Sequence, residues 1–481
     1  MTPIQRLDRW GPPFVLLIAS GIFLASTRIR ALALDEAATL GFARADFLDY
    51  LNTVIRSFDA VHATYYLLVR PFANLSITEI RLISAIAMIL TTYFVMRIAE
   101  RIADRRTAIL AGLTLPIIPI SIEAAATARS FALAALLVTW SWWLLIRLLT
   151  GELSRRRVVL MYVVVSTMSM AVFLLAGFSL IAQFLFVFAS TQSRRVRIRI
   201  HLFQVLSAFL ALPVAVLAII QRGQLAGVER LDASNLLEIP VYFFGQGLQV
   251  GLGGLPSWLS WMFVAVAAAV SLFGFFHHRA TQNTQLSMNR VVLTWLLLPL
   301  GLIAITSLAM PLLAPRYLVM LTPALALAIA QGVRRFSSRA ASAFFVSAWL
   351  VALAVIFTRL LTPAGTDAWG EKSAILERFL SPQDAVVFAP DLYVIMAEQS
   401  NTSLPIVLEQ AAIADGALVD SRGDRIQRIW AVPFVASDLT SGSSRWIPEA
   451  LEDSGFSSCP AFPTSSGSVR LFTRNQAACP S

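Results

Sequence analysis

The chain has 481 residues, 57% of them hydrophobic and 14% charged. Its mean hydropathy of +0.71 excludes a single water-soluble domain, in which about a quarter of residues carry charge. Only Lys372 among the 38 basic residues is lysine, and against 28 acids the formal net charge is +10. A basic soluble chain would suggest nucleic acid, but these arginines fall in short loops between apolar runs, the positive-inside pattern of a membrane protein.

Apolar segments near the roughly 20 residues that cross a bilayer lie at about 12–30, 80–98, 107–121, 130–148, 157–174, 175–190, 202–221, 258–276, 290–310, 316–332 and 342–360. They predict an all-α polytopic body of about 11 transmembrane helices over residues 1–360. Ten or twelve stay open, because the third segment is short, with Pro116 and Pro119, and the fifth runs into the sixth through Gly177. With the N terminus inside, the cytoplasmic loops receive 19 of the 30 arginines of this body but only Asp8, Glu100, Asp104 and Glu152 of its 14 acids. The odd count leaves the C-terminal region outside. Arg6, Arg9 and Ala31-Leu32-Ala33 also suit a signal peptide; an uncleaved first span is expected because the apolar run is long. Trp258, Trp261 and Trp369 suit an outer aromatic belt. The segment 222–257, with Tyr242-Phe243-Phe244, is expected in the interface, either closing over a lipid or connecting passively. Gly245, Gly247 and Gly251 within it miss dinucleotide-loop spacing, and Asn401-Thr402-Ser403 carries little information.

Residues 361–481 hold 8 basic residues and 14 acids. They read as an extracytoplasmic α/β domain, with a helix over 371–380 and short strands at 385–389, 406–408, 429–432 and 469–473. Cys459 and Cys479 are the only cysteines. On an oxidising side of the membrane they are expected to pair, a link worth about 3 kcal/mol for such a loop.

Charges at helix ends or membrane depth mark function by default, and three clusters share the expected outer face. The first outer loop, 31–79, opens with Asp35-Glu36 and runs through Asp46, Asp49, Asp59, His62, Tyr65, Tyr66 and Glu79 to Arg81 at the next helix. Glu123 to Arg129 forms the second cluster and Pro315-Arg316-Tyr317 the third. This chemistry suits sugar transfer from a lipid phosphate: a carboxylate takes the acceptor's proton, and fixed arginines hold the charge of the departing phosphate. No cofactor is demanded, although a carboxylate pair has the donors for a divalent cation.

Leu34-Asp35-Glu36-Ala37-Ala38-Thr39, then Asp59-Ala60-Val61-His62-Ala63-Thr64-Tyr65-Tyr66, then Glu79-Ile80-Arg81-Leu82-Ile83-Ser84-Ala85 stand in this order. Ala128-Arg129-Ser130-Phe131-Ala132-Leu133 and Arg316-Tyr317-Leu318 with Pro323 follow. Together they resemble the GT-C superfamily of membrane glycosyltransferases, specifically family 39-like enzymes related to protein O-mannosyltransferases and the lipid A aminoarabinose transferase. The resemblance spans roughly residues 10–335. It implies Asp35 as general base with Glu36 as its partner, Asp59, His62 and Tyr66 completing the site, and Arg129 and Arg316 facing the lipid phosphate. It further implies a polyprenyl-phosphate sugar donor, of mannose or arabinose type, and inversion at the anomeric carbon. The acceptor is expected to be a cell-envelope glycan, lipid or protein at the outer face of a bacterial cytoplasmic membrane. The chain departs from the family where Ala33 replaces an aromatic residue and where Thr127 and Phe131 replace Glu and Tyr. An inactive homologue therefore stays open. So do a polyprenyl-lipid flippase or transporter, against which the lack of an internal repeat speaks, and a scaffold acting through its tail.

Overall fold

The computed structural model describes residues 3–28, 32–56, 59–190, 192–221, 233–244, 257–276, 286–310, 312–336, 347–352, 354, 369–389, 394–399, 404–416, 418–419, 423–433, 439, 446–464, 467–474 and 479–480. Most of 222–257, the last expected span at 342–360 except 347–352 and 354, and Asn401-Thr402-Ser403 lie outside these residues. Two compact units emerge: residues 1–29 with 43–362, and residues 30–42 with 363–481.

The first unit is helical: α1 Pro3–Ser26, α2 Leu34–Arg44 (whose N-terminal part belongs to the second unit), α3 Phe47–Arg56, α4 Ala63–Val69, α5 Ile77–Ile102, α6 Arg105–Thr114, α7 Pro119–Ala125 and α8 Ser130–Arg147. There follow α9 Arg156–Val172, α10 Ala176–Phe188, α11 Arg194–Ile220, α12 Ala233–Tyr242, α13 Ser257–Phe276, α14 Met288–Ser307 and α15 Thr322–Arg334. Among the described residues five helices are long and apolar enough to cross a membrane, and six if the bent pair α6–α7 counts as one. The chain is thus a multi-pass membrane protein. Several spans read from hydropathy are shorter helices: Gly11–Ser26, Ala176–Phe188 and Ser260–Phe276 are apolar but fall below full spanning length.

Local chemistry sets the ends. Ser76 and Glu79 form a reciprocal capping box on α5, so Glu79 serves its helix. Asp104 accepts from Thr107 N–H at 2.7 Å and caps α6. Pro116 sits in a 3₁₀ turn and Pro119 opens α7. Because proline removes a backbone donor and clashes with the preceding turn, the chain bends here by 69°.

At the arginine-rich end Glu152 binds Arg147, Arg155 and Arg101 at 2.6, 3.0 and 3.2 Å. Arg334 reaches Asp104 at 3.1 Å.

Helices α13 and α15 cross at glycines. A Cβ on Gly332 would lie 1.9 Å from the Val270 carbonyl oxygen, a backbone atom that cannot rotate away. Gly332→Ala is therefore expected to push the helices apart and cost about 1–3 kcal/mol, the range for overpacking. A thermal-shift measurement on purified protein checks this, and an unchanged melting temperature would disprove the close crossing.

The second unit contains a six-stranded sheet of β1 Ala385–Ala389, β2 Ile406–Leu408, β3 Arg428–Pro433, β4 Ser457–Ser458, β5 Phe462–Thr464 and β6 Gly467–Thr473. β1 pairs in parallel with β2 and β3, while β6 pairs antiparallel with β3, β4 and β5. Helices α16 Trp369–Phe379, α17 Val394–Gln399, α18 Gln410–Ala414 and α19 Trp446–Asp453 complete it. β1 is buried along its length, as a continuous apolar run requires. Trp369 is only 3% exposed and opens α16; its ring lies near that of Phe388. This corrects its place in an aromatic belt, because the indole packs in the core of its own unit. Trp258 and Trp261 are exposed at 66% and 44%. Cys459 and Cys479 form a disulfide.

Candidate functional site

In the first unit, the predicted residues Asp59, His62, Tyr66, Arg129 and Tyr317 come together where α8 begins. Asp59 precedes a 3₁₀ turn at Ala60–His62 and adopts a left-handed backbone, φ 61°. It alone among the described non-glycine residues does so; aspartate tolerates this region better than most, and such outliers gather at functional sites. Flanking contacts hold the turn. Gln221 accepts from Ala60 N–H at 2.9 Å and donates to the Val54 carbonyl at 2.6 Å. Tyr50 donates to the Ala63 carbonyl at 2.8 Å.

The turn delivers Asp59 to Tyr66, whose hydroxyl donates to Asp59 Oδ2. Arg129 Nη1 in turn donates to the Tyr66 hydroxyl at 2.8 Å and lies 3.8 Å from Asp59 Oδ2. Asp59, Tyr66 and Arg129 are 9%, 1% and 6% exposed. Burial pushes the Tyr66 phenol well above its usual value, with Arg129 opposing and Asp59 reinforcing. Its folded value exceeds the unfolded one, so the stability of the neutral phenol is fully present below pH about 10 and is lost as pH rises through the folded value. At working pH Tyr66 remains a proton donor between a carboxylate and a guanidinium.

Arg129 is extended at the N-cap of α8, and the next residue, Ser130, hydrogen-bonds His62 Nδ1 at 2.8 Å. His62 also meets rings: Phe131 edge-on at 5.8 Å and Phe173 stacked at 6.5 Å. Tyr317 lies 5.8 Å from Phe131 and 5.5 Å from Phe173. The Arg316 guanidinium sits 5.7 Å from the Tyr317 ring centre. Cations and aromatic faces thus share one region. Ser130, Phe131 and Phe173 escaped the sequence reading as site members. Phe173 lies in the extended break after α9, inside a continuous apolar run that gives no sequence signal for it.

The other predicted residues of this unit are embedded. Arg81 is 1% exposed and donates to the Thr27 carbonyl at 3.2 Å, so it does not reach to headgroups. One turn on, Ser84 donates to the Thr127 carbonyl at 2.7 Å, tying α5 to the segment before Arg129. Glu123 is 6% exposed on α7, and Tyr65 is fully buried on α4.

Asp35 and Glu36 belong to the second unit and differ sharply. Both occupy the first turn of α2. Glu36 is fully buried, and its Oε2 accepts from Ala33 N–H at 3.2 Å, closing the helix start. Asp35 is half-buried. Among the described residues no three His, Cys, Asp or Glu side chains gather in metal-binding geometry.

No family model and no curated protein matches the chain. Solved structures do. ArnT from Cupriavidus metallidurans bound to undecaprenyl phosphate superposes with a TM-score of 0.60 at 13% identity, covering 97% of this chain and 98% of that one. The chain has the GT-C fold. The Archaeoglobus fulgidus oligosaccharyltransferase complex with zinc and sulfate shares the GT-C fold at a TM-score of 0.53 and 12% identity, over 97% of this chain and 74% of that one. The archaeal oligosaccharyltransferase AglB, in complex with an inhibitory peptide and a dolichol-phosphate, gives 0.52 at 12% identity, over 98% and 75%. The likeness to these structures extends over nearly the whole chain.

Proposed function

We propose that the chain is a glycosyltransferase moving a sugar from a polyprenyl-phosphate donor to a cell-envelope glycan, lipid or protein acceptor. The observation that carries this reading is the buried Asp59–Tyr66–Arg129 relay beside a cluster of aromatic rings in a chain of GT-C fold. Two of the similar structures hold undecaprenyl phosphate and dolichol-phosphate, which supports the donor class. An apolar cavity of 450 Å³, lined by Phe243, Phe244, Val264, Leu296 and Leu325 among others, suits an isoprenoid chain.

In the proposed reaction the acceptor hydroxyl attacks the anomeric carbon and loses its proton to Asp35. The bond from that carbon to the phosphate oxygen breaks, and the phosphate leaves with the electron pair. Arg129 and Arg316 stabilise the charge it gains, and the anomeric carbon inverts. The rings of Tyr317, Phe131 and Phe173 offer the sugar a stacking surface, while Glu36 fixes the helix start that carries Asp35. Tyr65, Arg81 and Glu123 shape the surroundings. The proposed setting is the outer face of a bacterial cytoplasmic membrane, with about eleven spans and the 361–481 region outside. A mannose- or arabinose-type sugar is favoured by the sequence resemblance.

Membranes containing the protein, supplied with a panel of radiolabelled polyprenyl-phosphate sugars, test the reading. Label is expected in an envelope acceptor from one donor and absent from membranes lacking the protein. Folded protein that transfers from no donor would overturn it.

A further inference from the structure

Between α10 and α14 runs a trough of 680 Å³, far from the cluster just described. Its walls include Phe186, Leu293 and Leu297, and one end holds Ser190, Ser287 and Arg290. Leu293 and Leu297 are 37% and 55% exposed, so in a multi-pass protein the trough opens toward lipid. Arg290 is exposed, and among the described residues no carboxylate pairs with it, whereas Arg101, Arg147 and Arg155 share Glu152.

The position along the helix fixes the leaflet. Arg290 lies in the first turn of the 20-residue α14, and Tyr317 follows its far end. At 1.5 Å per residue the helix is about 30 Å long, the thickness of a hydrocarbon core. A lipid phosphate on Arg290 therefore sits in the leaflet opposite the rings and arginines around Tyr317, and cannot be a donor poised for transfer there.

We infer that this trough holds one anionic diacyl phospholipid, its phosphate on Arg290 with Ser190 and Ser287, and an acyl chain along Leu293 and Leu297. The charge selects the class. The same end of the protein carries exposed Arg156, Arg157, Arg194, Arg195 and Arg199, which attract a headgroup of net negative charge and disfavour one whose phosphate is offset by an ammonium.

Native mass spectrometry of the full chain, titrated with phosphatidylglycerol, phosphatidylethanolamine or inorganic phosphate, tests this. The first phosphatidylglycerol adduct is expected to bind about fivefold more weakly in Arg290→Ala, the worth of one arginine at an anionic surface. Leu297→Trp, altering a lipid-facing side chain and filling the trough, is expected to weaken it similarly, whereas Arg199→Ala, acting only at long range through screened attraction, weakens it by less than about twofold. Phosphatidylethanolamine is expected to bind more weakly than phosphatidylglycerol, and excess inorganic phosphate not to compete. Equal affinity in Arg290→Ala and wild type, an equal loss in Arg199→Ala, or displacement by inorganic phosphate would overturn the assignment.

Discussion

Asp35→Asn is expected to lower sugar transfer by about 10²–10⁴-fold, the contribution of a positioned general base, while insertion and folding stay as in wild type. Its neighbour separates the two roles. Glu36 is the buried residue, and its carboxylate accepts the Ala33 N–H. Glu36→Gln keeps an oxygen for that bond and is expected to retain most activity, whereas Glu36→Ala removes it and costs about 1 kcal/mol of stability, as for lost helix caps. Transfer rates at saturating donor, with melting temperatures for all three variants, check this. Wild-type rates in Asp35→Asn, or equal losses in Asp35→Asn and Glu36→Gln, would sink the assignment of the base.

Arg129→Ala should harm both stability and activity, and a second substitution pulls the two apart. Removing the guanidinium leaves Asp59 buried beside Tyr66, a stranded charge that costs about 3–5 kcal/mol. Losing the cation proposed to hold the phosphate is expected to cost a further 10²–10³-fold in turnover, about the worth of one oxyanion donor. In Arg129→Ala/Asp59→Asn the stranded charge is gone, so the melting temperature should recover while transfer does not. A double variant that recovers transfer would show that Arg129 serves only to neutralise Asp59.

Much of the membrane body was legible because a span is a long apolar run whatever surrounds it; residues 77–102, 130–147 and 194–220 all appear as such. Strands β1 and β2 were equally readable, being short β-branched runs between turns. The two-residue β4 and the three-residue β5, with Pro463 at its centre, have no period to detect. In the site, Asp59, His62, Tyr66 and Arg129 announced themselves as polar groups in apolar company. Phe131 and Phe173 did not, since nothing in a run of apolar residues separates a ring facing a site from one facing lipid. The left-handed turn at Asp59 was also hidden, because no glycine marks it. Asp35 and Glu36 were read as part of a membrane loop, while the folded chain groups them with residues 363–481; that grouping is made by contacts remote in sequence.

The three arginines on Glu152 come from the end of α5, the end of α8 and the residue before α9. Orientation in a membrane is decided while the chain is being made, when each loop is met in turn and its positive residues are counted near the emerging span. Arg101 precedes Glu152 by 51 residues, so it is synthesised well before its carboxylate exists and meets the membrane before that pairing can form. Its pairing is a later, tertiary event. One residue thus acts twice in the life of the molecule, first as an address read during insertion and then as a rivet among helices already in place.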